Sequence, residues 1–417
     1  MRQYYFAFLL CVLISGCNHE PYNYKTPSGD YIVAEGGNML WYNQPSGVFF
    51  SNKYSRTYLA WTDSANRVNV AWYDDERQVF SDITTVHKWG YMDDHGQPVV
   101  HVKEYGTGKG HIHLLFAQHN SPLLYTMSGQ AEQIASFGPL QVVDSGSCGY
   151  PSVVENEQGS LAIFYNRNVY DVPELWTRPL YFRTSDDGGK SWSKETELIN
   201  HGPGTWIYYV APDYRDGTLH IAYSVKESGK DRVKDIYYVK SHDWGKTWTA
   251  NEGIPYQLPI RQADPMFASP ADYETRAWDI AADTAGKVHI AYVVYNADSG
   301  LAKVAQVYHG ETKQYNVAYS RLAYYPAGIV IDEKYPNTVY AGRSNKNNIA
   351  IAEIKFNPGE NKYVFMKEIS ADTTRSQVRP QIVKNYRSLK LLWVDVIDYT
   401  NFQKYKTNIK GYFLRPQ

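Results

Sequence analysis

Cysteine is scarce in this chain: three occur in 417 residues, Cys11, Cys17 and Cys148. A disulfide framework is thereby excluded as the source of stability. Charge of one sign is lacking too. Forty-two Lys and Arg stand against 43 Asp and Glu, a formal net charge of −1, which excludes the basic field of a general nucleic-acid binder. An anionic ligand must then be met by local cations rather than by the whole protein. No apolar run reaches the roughly 20 residues a bilayer-spanning helix needs; residues 4–14 fall well short. No segment sustains a 3.6-residue apolar period, so helices are few.

Aromatic residues are plentiful, with 38 Tyr and 11 Trp. They fit strands, and exposed aromatic faces suit sugar rings. Short β-patterned runs recur at 58–61 with 68–72, then at 112–116, 161–165, 219–223, 288–292, 338–340 and 391–394. Most follow a tight turn such as Gln158-Gly159, Asp216-Gly217 or Ala285-Gly286. Their spacing gives about four strands per unit and about seven units. Two units read Ser-x-Asp-x-Gly-x-Ser/Thr-Trp, at 185–192 and 241–248. This resembles the Asp-box, a hairpin turn of sialidase-like β-propellers in which Asp accepts backbone N–H groups, Gly takes a positive φ and Trp packs beneath. Its role is structural. The expectation is an all-β fold: a seven-bladed β-propeller of four-stranded antiparallel blades, with the ligand site at one mouth of the channel. The stretch from Tyr31 and the last strand, 409–413, close the ring within one blade. A pair of β-sandwiches is the weaker alternative.

The N-terminus reads as a leader. Residues 1–16 have the pattern of a signal peptide, and Leu13-Ile14-Ser15-Gly16-Cys17 resembles the lipobox of bacterial lipoproteins. That resemblance implies cleavage before Cys17 and lipidation of its sulfur; the alternative is an ordinary secreted protein. Residues 17–30 form a tether, and 31–417 a single catalytic propeller domain. The protein is expected to be a monomeric cell-envelope lipoprotein, at the outer membrane or the periplasmic face, touching the membrane through its lipid alone.

Two matched fragments organise the chemistry. Asp93-Asp94-His95-Gly96-Gln97-Pro98 leads through two strands to Gln118-His119-Asn120-Ser121, and Gly149-Tyr150-Pro151-Ser152 leads to Phe164-Tyr165-Asn166-Arg167. Antiparallel neighbours reverse direction, so the start of one strand and the end of the next share a rim. His95, His119, Tyr150 and Arg167 are expected to converge there. Proton abstraction beside a carboxylate needs a guanidinium fork to neutralise that carboxylate, for which Arg167 is the candidate. It also needs a base near neutral pH, His95 or His119. Tyr150 is placed to protonate a leaving oxygen. Asp93 and Asp94 read as turn acceptors rather than catalysts. No acidic pair stands at matched rim positions, against a two-carboxylate glycosidase.

These residues carry a resemblance. The chain is similar to the BNR-repeat propellers that include ulvan lyases and related rhamnose–glucuronate lyases, through Asp93-Asp94-His95, residues 118–121, Tyr150-Pro151 and residues 164–167. Gly96 stands where that family often has Asn, and Gln118 where it usually has Gly. The resemblance implies a carbon–oxygen lyase acting by β-elimination on uronic acids of ulvan-like, rhamnose-containing saccharides. It either cleaves the glycosidic bond or removes water from a terminal uronate. It also points to Tyr208, Tyr209 and His220 as substrate contacts; Arg379, at the corresponding place in a late blade, is a candidate for binding a sulfate or carboxylate. No cofactor is implied. His111, His113 and His119, with Cys148, also fit a structural metal, though half-exposed imidazoles on a strand are commoner. A propeller α-L-rhamnosidase and a non-catalytic glycan-binding lipoprotein are the alternatives. A sialidase is disfavoured, since residues 258–261 read Leu-Pro-Ile-Arg rather than Phe/Tyr-Arg-Ile-Pro.

Overall fold

A computed structural model describes residues 31–414 apart from 42, 173–174, 228–231, 322–326, 346, 371 and 373. The signal peptide, Cys17 and the tether lie outside the described residues. No helix among the described residues is long and apolar enough to cross a membrane.

The fold is all-β, a propeller-like ring of antiparallel sheets. The strands Val99–Val102 and Ile112–Phe116 are buried at every position, because sheets pack on both of their faces. The outer strand Glu311–Ser320 has mainly exposed and half-buried positions, as one solvated face requires.

Seven separate four-stranded blades were the expectation, and the hydrogen bonding corrects it. It divides the strands into six sheets of six, eight, six, four, four and four strands in chain order. The fusion has a clear origin in the 15-residue strand Gln141–Glu155. Its first half pairs with Ser121–Met127 and its second with Leu161–Val172, so bonding runs unbroken through eight strands. The six-stranded sheets arise where short strands share one partner, as Thr205–Tyr209 and Asp213–Arg215 both do on Thr218–Glu227.

Hydrogen bonds between successive sheets close the ring. Val100 N donates to Pro45 O (2.9 Å), and Ser152 Oγ and Tyr209 Oη lie 3.2 Å apart. Ala282 N donates to Asp213 Oδ2 (2.8 Å) and Ile331 N to Asp279 Oδ2 (2.7 Å). Arg379 N donates to Ala327 O (2.8 Å), and Lys384 N to Gly47 O (2.9 Å). As expected, Tyr31–Ala34 pairs with Lys404–Phe413, opposing Tyr31 to Gly411, which leaves no free edge between the chain ends.

Both Asp-box turns take the expected form. Asp187 Oδ1 accepts from Ser191 N (3.0 Å), and Asp243 Oδ1 from Thr247 N (2.8 Å). Trp248 is fully buried beneath the second turn, donating to Gly245 O (3.0 Å). Ser185 pairs with Leu161, whereas Asn168, beside the candidate site, is seven residues further along that strand. At about 3.3 Å per residue the turn lies roughly 23 Å from the mouth.

Candidate active site

Local backbone strain presents the mouth side chains. Tyr150 has a left-handed φ of 52° and is followed by Pro151, and strand pairing slips between Gly149 and Ser152. Arg379-Pro380 repeats the device, with φ 59° and a slip between Val378 and Gln381. A third slip, between Ala277 and Asp279, sets off Trp278. A bulge inserts one extra residue and re-aims its side chain. A left-handed non-glycine residue costs on the order of 1–2 kcal/mol, and such strain concentrates at functional sites.

The turn at 93–98 is built by its two carboxylates. Asp93 Oδ1 accepts from His95 N (2.9 Å) and Nδ1 (2.7 Å), and its Oδ2 from His119 N (3.0 Å). Asp94 Oδ1 lies 2.9 Å from His95 Nδ1 and accepts from Trp41 Nε1 (2.6 Å). Its Oδ2 accepts from Tyr399 Oη (2.7 Å). The two Asp are turn acceptors, as read, and they also orient both histidines. His95 is sandwiched between Trp41 (centroids 4.1 Å, 14°) and His119 (4.2 Å, 12°). Phe402 stands edge-on to both imidazoles. With Nδ1 committed to the carboxylates, Nε2 is the ring nitrogen of His95 turned away from them.

The two histidines are driven apart electrostatically. Burial opposes charge on His95, but hydrogen bonds and attraction from Asp93 and Asp94 outweigh it and raise its pKa. Burial likewise opposes charge on Asp93, and His95 nevertheless holds its pKa down. His119 falls to about 3 through burial, then repulsion from His95 and Arg178. The charged form is thus favoured on one imidazole, His95, and the neutral form on the other, His119. Asp93, His95 and His119 also bring three possible metal-ligating atoms together. Their stacked rings aim nitrogens along parallel planes rather than at a common point about 2.0–2.1 Å from each. Nδ1 of His95 is moreover engaged. The arrangement suits proton handling better than coordination.

Tyr150 is buried, its ring 6.0 Å from His95 and 6.2 Å from Tyr208. On it rests a cation that sequence reasoning missed. Arg178 is 3% exposed, its guanidinium carbon 5.3 Å from the Tyr150 centroid. Its Nε donates to Asn168 Oδ1 (2.8 Å) and its Nη2 to Asn120 Oδ1 (3.0 Å). Among the described residues no carboxylate pairs with it. Asn120 follows His119 directly and is itself left-handed, φ 67°.

Arg167 does not join this group. Its Nη1 bonds Asp144 Oδ2 (2.8 Å) and lies 3.7 Å from Glu195, and its guanidinium covers Tyr181 (4.2 Å). The cause is the two-residue period of a strand: Asn166 and Asn168 face one side, and Arg167 the other. Tyr209 is also corrected. Its hydroxyl lies within hydrogen-bond reach of both Tyr150 O and Phe164 O (2.9 Å to the latter), so its one proton braces the strained backbone from within the core. Tyr208 is the tyrosine that faces the mouth, under the guanidinium of Arg276 (5.0 Å). His220 is withdrawn from the mouth. It opposes Asp213 while Tyr208 opposes Ser224, four residues or about 13 Å along the strand, and its Nδ1 meets Tyr238 Oη (2.7 Å). Arg379 does stand at a mouth bulge, stacked on Trp278 (4.1 Å).

The proposed histidine metal cluster does not assemble. His111 Nδ1 bonds Ser128 O (2.6 Å) and His113 Nδ1 bonds Tyr125 Oη (2.7 Å), at the far end of the strand from His119. Cys148 is buried, and burial raises its thiol pKa. A cavity of about 620 Å³ opens at that far end, lined by Glu155, Asp213, Asp279, Glu333 and Lys384. It contains none of the mouth residues. Asp213 and Asp279 there are the ring latches described above, and Glu333 pairs with Lys384 (3.1 Å).

Residues 56–324 match the model of a BNR repeat-containing family member. No curated protein matches the chain. A polysaccharide lyase of family PL25, an ulvan lyase, superposes with a TM-score of 0.75 at 13% identity, covering 91% of this chain and 94% of its own. The ulvan lyase bound to a glucuronic acid–(1-4)–rhamnose 3-sulfate saccharide gives 0.76 at 13% identity, with 92% and 95% covered. The polysaccharide lyase Uly1 gives 0.62 at 14% identity, with 97% and 94% covered.

Proposed function

The chain belongs to the BNR repeat-containing family, and from that premise and the geometry of the mouth we propose that it is a carbon–oxygen lyase acting on uronic-acid saccharides. The observation that carries the reading is Arg178: a buried guanidinium held by two amide oxygens and three aromatic faces, with no carboxylate partner among the described residues. A buried cation without a counter-charge is costly, and a substrate carboxylate supplies that charge through a two-pronged fork. The neutralising role assigned to Arg167 passes to Arg178.

The proposed chemistry is β-elimination. A base removes the proton at C5, beside the carboxylate; the C4–O bond breaks, and an acid protonates the departing oxygen. The products carry a C4–C5 double bond. His119, uncharged because of burial and its cationic neighbours, has one ring nitrogen unprotonated when substrate arrives and is the candidate acceptor, the entering carboxylate offsetting those cations and strengthening it as a base. Tyr150 lies between His95 and Arg178 and is suited to deliver or relay one. Glycosidic cleavage and loss of water from a terminal uronate share these residues and differ only in what leaves C4. Similarity in fold to ulvan lyases supports a rhamnose–glucuronate saccharide as substrate.

The test is incubation with uronic-acid–rhamnose oligosaccharides, followed by absorbance and mass spectrometry. The expected result is a new ultraviolet band from the conjugated double bond, with either chain scission or loss of one water. Reducing sugar released with no such band overturns the reading in favour of a hydrolase. A lipid anchor at Cys17 in the cell envelope belongs to the same proposal: labelling with a palmitate analogue should require that cysteine.

A further inference from the structure

The strand Leu161–Val172 runs past the mouth and pairs with the short strand Leu175–Thr177, opposing Val169 to Thr177. On this projecting hairpin the rings of Tyr170 and Trp176 lie nearly parallel, centroids 6.4 Å apart at 10°. Trp176 meets Trp206 of the next sheet edge-on (4.5 Å, 75°), and Trp206 Nε1 donates to Trp176 O (3.1 Å). Tyr170 is 73% exposed, the highest value among the described large apolar side chains. The two indoles are partly exposed.

Isolated surface aromatics need no explanation, but a contiguous row of three does. This row ends on the proposed site. The Arg178 guanidinium lies 5.8 Å from Trp176, 5.6 Å from Trp206 and 5.3 Å from Tyr150. The platform and the proposed catalytic pocket therefore share one cation, which puts the indoles next to any saccharide that extends from the pocket on this side. Lys226 Nζ flanks Trp206 (4.8 Å), so positive charge borders the row.

We propose that Tyr170, Trp176 and Trp206 form a sugar-stacking platform that binds a further ring of an anionic oligosaccharide beside the one undergoing elimination. Aromatic faces carry negative quadrupole density and attract the C–H-lined face of a pyranose, while the flanking cations match the saccharide's acidic groups. The inference rests on the uronate-lyase reading and adds how the enzyme selects chain length.

The test compares Tyr170→Ala with wild type on a series of uronic-acid–rhamnose oligosaccharides of increasing length. Tyr170 projects into solvent, so its loss should leave the melting temperature unchanged. The expected result is a rise in KM of roughly two- to tenfold on the longer substrates, with the shortest substrate unaffected. Trp176→Ala, checked for folding by its melting curve, also removes one of the faces that hold Arg178, so it should slow every length and raise KM further on the longer substrates. In Tyr170→Ala, an equal effect at every length, or none at any, overturns the platform. Should wild type eliminate nothing, gel retardation by an embedded sulfated rhamnose–glucuronate polysaccharide separates the two ideas. Retardation lost in Tyr170→Ala sustains the platform without the lyase; identical migration of the two proteins overturns it.

Discussion

The guanidinium of Arg178 lies over the ring of Tyr150, 5.3 Å from its centroid, while Arg167, eleven residues earlier, is held by Asp144 at 2.8 Å. Opposite consequences of substitution follow. Arg178→Lys keeps a charge but loses the fork and its seats on Asn168 and Asn120. A fall in kcat/KM of about a hundredfold or more is expected, as when a positioned donor is removed. Arg167→Ala should retain turnover and lose stability of about 1–3 kcal/mol, because buried Asp144 forfeits a charged partner. Steady-state kinetics and thermal melts of both variants check the assignment, and a reversal of the two outcomes would restore Arg167 to the site.

Tyr150→Phe removes one oxygen and keeps the ring against which Arg178, His95 and Tyr208 pack. Binding of a uronate oligosaccharide, measured calorimetrically, should change little. The rate at which the ultraviolet band grows should fall by about a hundred- to ten-thousandfold, the range for loss of a proton-transfer group.

The ring of antiparallel strands, the Asp-box turns and the rim shared by His95, His119 and Tyr150 were legible because each rests on a local signal: a turn motif, a strand start, or the reversal of direction between neighbours. Arg178 was not. It faces Asn168 only because Leu175–Thr177 pairs back on the strand Leu161–Val172, and no motif marks where that pairing begins. Arg167 misled for a related reason. A strand end can be located to within a residue or two, but one residue decides which face of the sheet a side chain occupies. Tyr208 and Tyr209 posed the same ambiguity, resolved by which of them opposes Ser224. The sheet count failed where one long strand serves two neighbours, which spacing alone does not reveal.

The paired histidines predict a particular acid limb of stability. His119, with its pKa lowered to about 3 by burial and by the cations His95 and Arg178, binds its proton less readily folded than unfolded, where the value is about 6.5. It therefore withdraws stability as pH falls below about 6.5. His95 acts in the opposite sense: its raised pKa contributes stability that is complete below about 6.5 and is lost as pH rises through its folded value. Urea unfolding of His119→Gln between about pH 6.5 and 4.5 should show a shallower loss of stability than wild type. An unchanged slope would mean that His119 is already protonated in the folded protein across this range.

Tyr209 predicts how the strained backbone is held. Its hydroxyl reaches the carbonyls of Tyr150 and Phe164 and lies 3.2 Å from Ser152 Oγ, while the side chain is buried in the core. Tyr209→Phe preserves packing volume and leaves those carbonyls without the donor, at a cost of about 1–3 kcal/mol. The left-handed conformation at Tyr150 loses a restraint, and the phenol it aims should wander from its place between His95 and Arg178. Misplacement of an acid–base group lowers kcat more than it weakens binding, so kcat should fall while KM stays near the wild-type value. Lengthening the substrate should leave that ratio of effects unchanged, because the aromatic row from Tyr170 to Trp206 is untouched. A proportional rise in KM instead would show that Tyr209 shapes the binding surface rather than the reacting geometry.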